Sequence, residues 1–184
     1  DLVICLLSGG ASALLVSPVP GVTLSDLQQL TSLLLACGAA ITEINTLRKH
    51  LEQLKGGGLA RLAFPAQVAT LVLSDVIGDP LDVIASGPAT PDPTTYQDAL
   101  DILQHYHLQQ RVPSSVLSHL KHGASGEVPE TPKPGDEIFT RVHQVIVGSN
   151  LQATQAALAQ AQRPTLLRRY VAPPPFLSPA ALSS

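Results

Sequence analysis

Three apolar runs, each broken off by a small or polar turn, constrain this chain more than any other feature. They are Leu2–Leu7, Val68–Leu73 and Val142–Val147. Runs so short and continuous predict strands buried on both faces, as in a parallel sheet. Helical periods fill the spans between them. Thr23 with Asp26 reads as a capping-box variant that opens a helix on Leu24, Leu27, Leu30, Leu34 and Cys37, ended by Gly38. Leu47, Leu51 and Leu54 form the stripe of a second helix that runs on to three glycines, Gly56 to Gly58. Thr94 or Thr95 caps a third, Ser114–Lys121 makes a fourth, and Ser149 or Asn150 opens the last, which ends near Ala161. The pattern is α/β with a largely parallel sheet and flanking helices. Three strands are fewer than the usual five or six, so the sheet is expected to be incomplete within this chain.

Each strand ends in a loop suited to a ligand. After Val68–Leu73 come Asp75, Asp79 and Asp82, at steps of four and three, among Gly78, Pro80, Gly87 and Pro88. Acids at the carboxyl end of a buried strand stand where open α/β sheets bind ligands. They suit a cation, a phosphate-bound metal or a proton; a turn rich in Asp would account for any one of them alone. After Leu2–Leu7 comes Ser8-Gly9-Gly10-Ala11-Ser12-Ala13-Leu14. Small residues let backbone amides approach an anion. The loop is neither a Walker A motif nor Gly-x-Gly-x-x-Gly, and a tight strand-to-helix turn is the other reading. Gly148-Ser149-Asn150 makes a third candidate loop.

Arg48, Lys49 and Lys55 point away from the leucine stripe, with Arg48 and Lys55 seven apart on one face. They are three of only 11 basic residues, which favours an anion site; a solvated face with an Arg48–Glu52 pair is the alternative. His50 reads as structural. His105 and His107, two apart, do not share a helical face and are a poor metal pair.

Composition narrows the classes. The chain has 184 residues and is 45% hydrophobic, enough for one domain with a core. A net charge of -3 and 3% aromatic residues argue against nucleic acid and against a basic membrane patch. No apolar run approaches the roughly 20 residues of a membrane span. Cys5 and Cys37 fit thiols in a reducing compartment better than a disulfide framework. The chain opens at Asp1, as a fragment would. From Arg163 it is proline-rich without a period. Residues 1–161 are therefore expected to be the partial domain, and 162–184 a divergent, disordered tail.

A Gly/Ser loop, a basic helix end and an acidic loop together suit phosphoryl transfer, which needs donors, cations and metal-holding carboxylates more than covalent help. A sugar- or acid-binding module without catalysis is the rival. Several stretches, in order, resemble the MOFRL-type (class II) glycerate kinases: Leu7-Ser8-Gly9-Gly10-Ala11-Ser12-Ala13-Leu14, Asn45-Thr46-Leu47-Arg48-Lys49-His50-Leu51 with Lys55-Gly56-Gly57, Leu73-Ser74-Asp75-Val76-Ile77-Gly78-Asp79, Ala85-Ser86-Gly87-Pro88 with Pro91-Asp92-Pro93-Thr94-Thr95, and Gly126-Glu127 through Pro132-Lys133.

The resemblance implies a Rossmann-like N-terminal domain and ATP-dependent phosphorylation of D-glycerate with Mg²⁺, mainly at the 2-hydroxyl, in serine and fructose breakdown. It implies a cytoplasmic enzyme with mitochondrial isoforms. By position, Ser8, Gly9, Gly10 and Ser12 would cradle phosphate or substrate, joined by Asn45, Gly56 and Gly57. Arg48 and Lys55 would neutralise anionic oxygens. Asp75 and Asp79 would hold Mg²⁺ or orient the attacking hydroxyl, and with Arg48 they form the expected catalytic set. Ala11 departs from a usual glycine, Glu52 from serine and Ala89 from threonine. The family's lysine-bearing N-terminal segment and its C-terminal domain have no counterpart here, and the tail reads like a shifted frame or alternative splice. Half a cleft excludes water poorly, so this chain is expected to bind weakly and catalyse poorly; a non-catalytic isoform is the alternative.

Overall fold

The structure, a computed structural model, describes residues 1–162; from Arg163 onward the tail lies outside the described residues. The elements in order are β1 (Leu2–Leu7), α1 (Ala11–Leu14), α2 (Leu24–Ala36), α3 (Ile41–Leu51), α4 (Gly58–Ala63), β2 (Gln67–Ser74), α5 (Tyr96–His105), α6 (Ser114–Ala124), β3 (Val142–Ser149) and α7 (Asn150–Ala161). Short 3-10 turns occupy Ile84–Ser86 and Glu137–Arg141. The three strands form one parallel sheet in the order β1-β2-β3, with Leu2 opposite Gln67 and Val68 opposite Val142. The expected α/β class and parallel sheet are thus observed.

Side chains on the two faces of the sheet meet different surroundings. Val68, Thr70 and Val72 are buried, under Ala60 and Ala89 at one end and Ile84 and Ala85 at the other. On the opposite face Ile4, Leu6, Val145 and Val147 are each more than half exposed. The expectation of strands buried on both faces is corrected: among the described residues, apolar cover lies on one side only. α7, on which that cover could have depended, has no buried residue.

The main core belongs instead to the helices. Leu30 and Leu34 of α2, Leu47 and Leu51 of α3, Ala99 and Leu103 of α5, and Val116 and Leu120 of α6 pack together, most of them without solvent contact. Thr23 and Thr95 cap α2 and α5 in full capping boxes with Asp26 and Asp98, and Ser149 caps α7. Each cap satisfies amides that the first turn leaves orphaned.

α3 ends earlier than its leucine stripe suggested. Glu52 is extended, and the chain leaves the helix to pair with the segment after α1: the Gln53 amide donates to Ser17 O (2.7 Å) and the Val19 amide to Leu51 O (3.0 Å). Lys55 therefore does not lie on the Arg48 face of a helix. Lys49 and Lys55 are both buried rather than pointing outward. The polar, proline-rich stretch after Gly123 turns inward where Thr131 and Pro132 are buried.

Candidate functional site

At the carboxyl ends of the strands the chain makes three turns, and side chains from all three meet. The turn after β1 begins at Ser8 and enters α1 with Gly10 in the left-handed region (φ 83°), a conformation that glycine adopts without the penalty a β-carbon brings. The Gly9 and Gly10 amides have no intramolecular acceptor among the described residues. A β-carbon at Gly9 would lie 2.7 Å from Asp75 Oδ2 and would displace that carboxylate. The acid after β2 is thus set against the bare backbone after β1. After β3, the Asn150 side chain donates through Nδ2 to the Asp75 backbone carbonyl (2.7 Å) and fixes the turn that carries the acid.

Opposite this pair stands α3. A cavity of about 190 Å³ joins Ser8, Gly9, Gly10, Ser12, Asn45, Arg48 and Asp75. Asn45 is buried and its Oδ1 accepts from Ser86 Oγ (3.2 Å). A serine has one proton to give, so in the 2.6 Å contact of Ser12 Oγ with Ser86 Oγ it is Ser12 that donates. This chain of hydroxyls ties the β1 turn, the 3-10 turn and α3 together. It leaves the Asn45 side-chain amide group facing the cavity without an intramolecular acceptor among the described residues. Arg48 likewise makes no hydrogen bond or ion pair among them. One free guanidinium, one free carboxamide, open backbone amides and one carboxylate converge on the space.

The loop that closes one side of the cavity is strained. Asp79, Ala85 and Ser86 all have positive φ (53°, 54° and 60°), a region that costs a residue with a β-carbon roughly 1 kcal/mol or more. Ser86 is completely buried there. The glycines after α3 hold it in place: the Gly56 amide donates to Ser86 O (3.0 Å) and the Gly57 amide to Gly87 O (2.8 Å).

Of the residues singled out from sequence, the structure brings Ser8, Gly9, Gly10, Ser12, Asn45, Arg48 and Asp75 to one cavity. It does not bring Lys55, Gly56, Gly57 or Asp79 to it. The amides of Gly56 and Gly57 are committed to the 3-10 turn. Lys55 is 1% exposed, paired with Glu52 Oε2 at 2.5 Å and donating to Leu15 O at 3.0 Å. Burial pushes the Lys55 ammonium down and the Glu52 carboxyl up, and their mutual attraction opposes both shifts. Lys55 thus ties Glu52 to the end of α1. Glu52 has Lys55 as its ion-pair partner, not Arg48. Ser86 and Asn150 were missed as contributors, although the Ser-Gly-Pro break and the third strand-end loop marked their places.

Behind α3 lies a second polar cluster that supports the site without entering it. Lys49 pairs with Asp92 (3.3 Å), and Asp92 also accepts from the Thr94 and Thr131 hydroxyls (2.7 and 3.0 Å). His50 Nδ1 lies 2.8 Å from Thr46 O and Nε2 2.9 Å from Glu130 Oε1. Burial alone would raise the Glu130 carboxyl. Hydrogen bonds from His50 and from the Thr131 and Tyr96 amides outweigh it and hold the group at about 2. The same burial, with Glu130 nearby, lifts the Tyr96 phenol to about 12. His50 is structural here, as its sequence context suggested.

The described residues contain no group of three or more His, Cys, Asp or Glu side chains placed to hold a metal ion. Mg²⁺, however, is commonly held by one or two carboxylates with substrate phosphates and water filling its remaining positions. Asp75 beside the open Gly9–Gly10 amides fits that mode of binding. No helix is long and apolar enough to cross a membrane.

Residues 1–121 match the family described as a domain of unknown function, DUF4147. The chain is 52% identical over 163 residues to a rat glycerate kinase, covering 89% of this chain and 29% of that one. It is 53% identical over 131 residues to a D-glycerate 2-kinase of Thermotoga maritima, covering 70% of this chain and 31% of that one. A crystal structure of a Pyrococcus horikoshii protein superposes with a TM-score of 0.79 at 45% identity, over 89% of this chain and 36% of that one. The chain therefore spans about a third of the length of the relatives it matches.

Proposed function

Since the chain belongs to the DUF4147 family, and the site stands at its strand ends, we propose that it forms the phosphate-holding side of a glycerate kinase active site. In this reading the complete protein transfers a phosphoryl group from ATP to D-glycerate. The observation that carries the reading is the single cavity joining Gly9, Gly10, Asn45, Arg48 and Asp75. Unpaired backbone amides beside a cavity favour an anion, and a nearby guanidinium can stabilise charge spreading over phosphate oxygens. Such electrostatic help, placed before the reaction begins, is the main contribution an enzyme makes to phosphoryl transfer.

Each residue then has a task. Gly9 and Gly10 offer N–H donors to phosphate oxygens. Arg48 neutralises charge on the bridging or leaving side. Asn45, fixed through Ser86 and Ser12, offers an amide to a hydroxyl or carboxylate oxygen. Asp75 holds a metal or orients the attacking hydroxyl. Mg²⁺, when bound with the nucleotide, would draw charge from the phosphate oxygens. Lys55, Gly56 and Gly57 act by holding the surrounding turns, and Asp79 by shaping the loop after Asp75. A cavity open to solvent on one side gives little exclusion of water, in keeping with weak catalysis by these residues alone.

The test is ADP release from MgATP and D-glycerate by the full-length protein that carries these residues. Asp75→Asn should lower turnover at least 100-fold while the melting transition stays in place; removal of one preorganised group commonly costs about that much. Turnover close to the unmodified protein's would remove Asp75 from the mechanism and the cavity from the active site.

A further inference from the structure

We infer that a second cavity, beside the phosphate loop, receives the heterocyclic base of the nucleotide; the inference rests on the reading of the Gly9–Gly10 turn as a phosphate cradle. This cavity, about 270 Å³, lies between the start of α1, α2 and α3. Its walls are mostly apolar in area, with Leu27, Leu30, Leu34 and Ile44 all buried around it and Gln28, Thr31, Arg48 and Glu52 adding polar groups. Ser12 and Arg48 line it as well as the first cavity. The two spaces are therefore neighbours that share a wall; the first adds the open Gly9–Gly10 amides, Asn45 and Asp75, the second four buried aliphatic side chains. A molecule with a polyanion at one end and a flat apolar ring at the other matches the pair. Inorganic phosphate or a sugar acid would fill only the first.

The apolar cavity also carries groups that could read the edge of a base. Gln28 and Thr31 line it, and neither side chain has an intramolecular hydrogen-bond partner among the described residues. Ser32, next to them, gives its hydroxyl to the Gln28 carbonyl (2.9 Å). A carboxamide presents a donor and an acceptor side by side, the pattern that the amino group and ring nitrogen of adenine answer. Glu52 reaches this space too, but its charge is matched by Lys55 at 2.5 Å, so it does not set a bare carboxylate against the phosphates. A mostly apolar pocket with a few placed polar groups is the usual form of a site for a small organic ligand.

The experiment is calorimetry on the 184-residue chain, in Mg²⁺, with three probes: a non-hydrolysable ATP analogue, adenosine, and inorganic tripolyphosphate. Thr31→Phe, which fills the apolar cavity, should weaken the analogue at least tenfold and abolish adenosine binding. It should leave tripolyphosphate within twofold. Gln28→Leu, at an exposed position of α2, keeps the fold and should weaken adenosine and the analogue three- to tenfold with tripolyphosphate unchanged. An analogue affinity that neither variant moves would overturn the inference and leave the phosphate reading standing. So would an unmodified chain that binds tripolyphosphate as tightly as the analogue. If tripolyphosphate does not bind, or binds equally well to Gly9→Val, the phosphate reading fails and this inference with it.

Discussion

The helical lobe and the sheet are stabilised in different ways. In the lobe formed by α2, α3, α5 and α6, leucines and valines meet on every side, and Leu47, Leu103 and Leu120 are wholly enclosed. In the sheet, the apolar side chains of alternate positions face outward, with Leu6 73% and Ile4 62% exposed. The strand runs are at least as apolar in sequence as the helices of the lobe. The difference shows that an apolar run states how much surface could be buried, not whether these residues bury it. The candidate site lies at the seam: Arg48 and Asn45 come from the enclosed lobe, and Gly9, Gly10 and Asp75 from the ends of the half-covered sheet. A rigid cationic side therefore faces a more loosely supported acidic and glycine-rich side.

The largest expected effect tests the lobe-to-loop anchor. Lys55→Met leaves the Glu52 carboxylate buried without its partner and should cost about 3–5 kcal/mol in urea unfolding. The paired change Lys55→Met with Glu52→Leu should restore most of that loss, because two apolar groups leave no uncompensated charge. If Lys55→Met alone costs less than about 1 kcal/mol, the pair is not buried as described. Next comes the lobe itself. Leu47→Ala should cost roughly 2–5 kcal/mol, the range for removing an enclosed leucine. Ile4→Ala on the bare sheet face should stay within about 0.5 kcal/mol. Equal costs at the two positions would erase the contrast between lobe and sheet.

What the sequence made legible follows the same division. Local signals were readable: the Thr23–Asp26 and Thr95–Asp98 caps, the three strand positions and the turn residues after them need only neighbours along the chain. The convergence of Gly9, Asp75 and Arg48 was legible in part, since parallel strands bring their carboxyl ends together. Lys55 was misread because the stripe of Leu47, Leu51 and Leu54 continues a helical period that the backbone abandons at Glu52. Pairing with Ser17 and Val19, more than 30 residues earlier, overrode local propensity, and no periodicity records such a partner. The inward turn at Thr131 was hidden for a similar reason. A polar, proline-rich stretch reads as surface until Asp92 and His50 are seen to need its hydroxyl and carboxylate.

That polar cluster gives the lobe a pH dependence on the acid side. Glu130 sits near 2 in the folded chain against 4.5 ordinarily. A depressed carboxylate adds stability that is present above the ordinary value and lost as the pH falls toward the folded one. Unfolding free energy should therefore decline between about pH 4.5 and 2, by roughly 1–2 kcal/mol once solvent screening at this half-buried group is allowed for. Glu130→Gln should flatten that part of the profile. An unchanged slope in the variant would assign the acid sensitivity to other carboxylates.

The smallest effect has the opposite sign and falls on the sheet. Thr70, at the middle of β2, is 1% exposed, and its hydroxyl is the one buried side-chain polar atom without a hydrogen-bond partner among the described residues. An unmet buried hydroxyl costs on the order of 1 kcal/mol or more. Valine has nearly the same shape and equal preference for a strand. Thr70→Val should therefore raise stability by about 1 kcal/mol, while Val68→Thr or Val72→Thr, its neighbours on the same covered face, should lower it. A gain at Thr70 with losses beside it would show that the covered side of the sheet is packed as tightly as the helical lobe. The contrast between the two regions would then belong to the exposed face alone. If Thr70→Val is destabilising, the hydroxyl has a partner in solution, and the covered face is wetter than the apolar residues around it suggest.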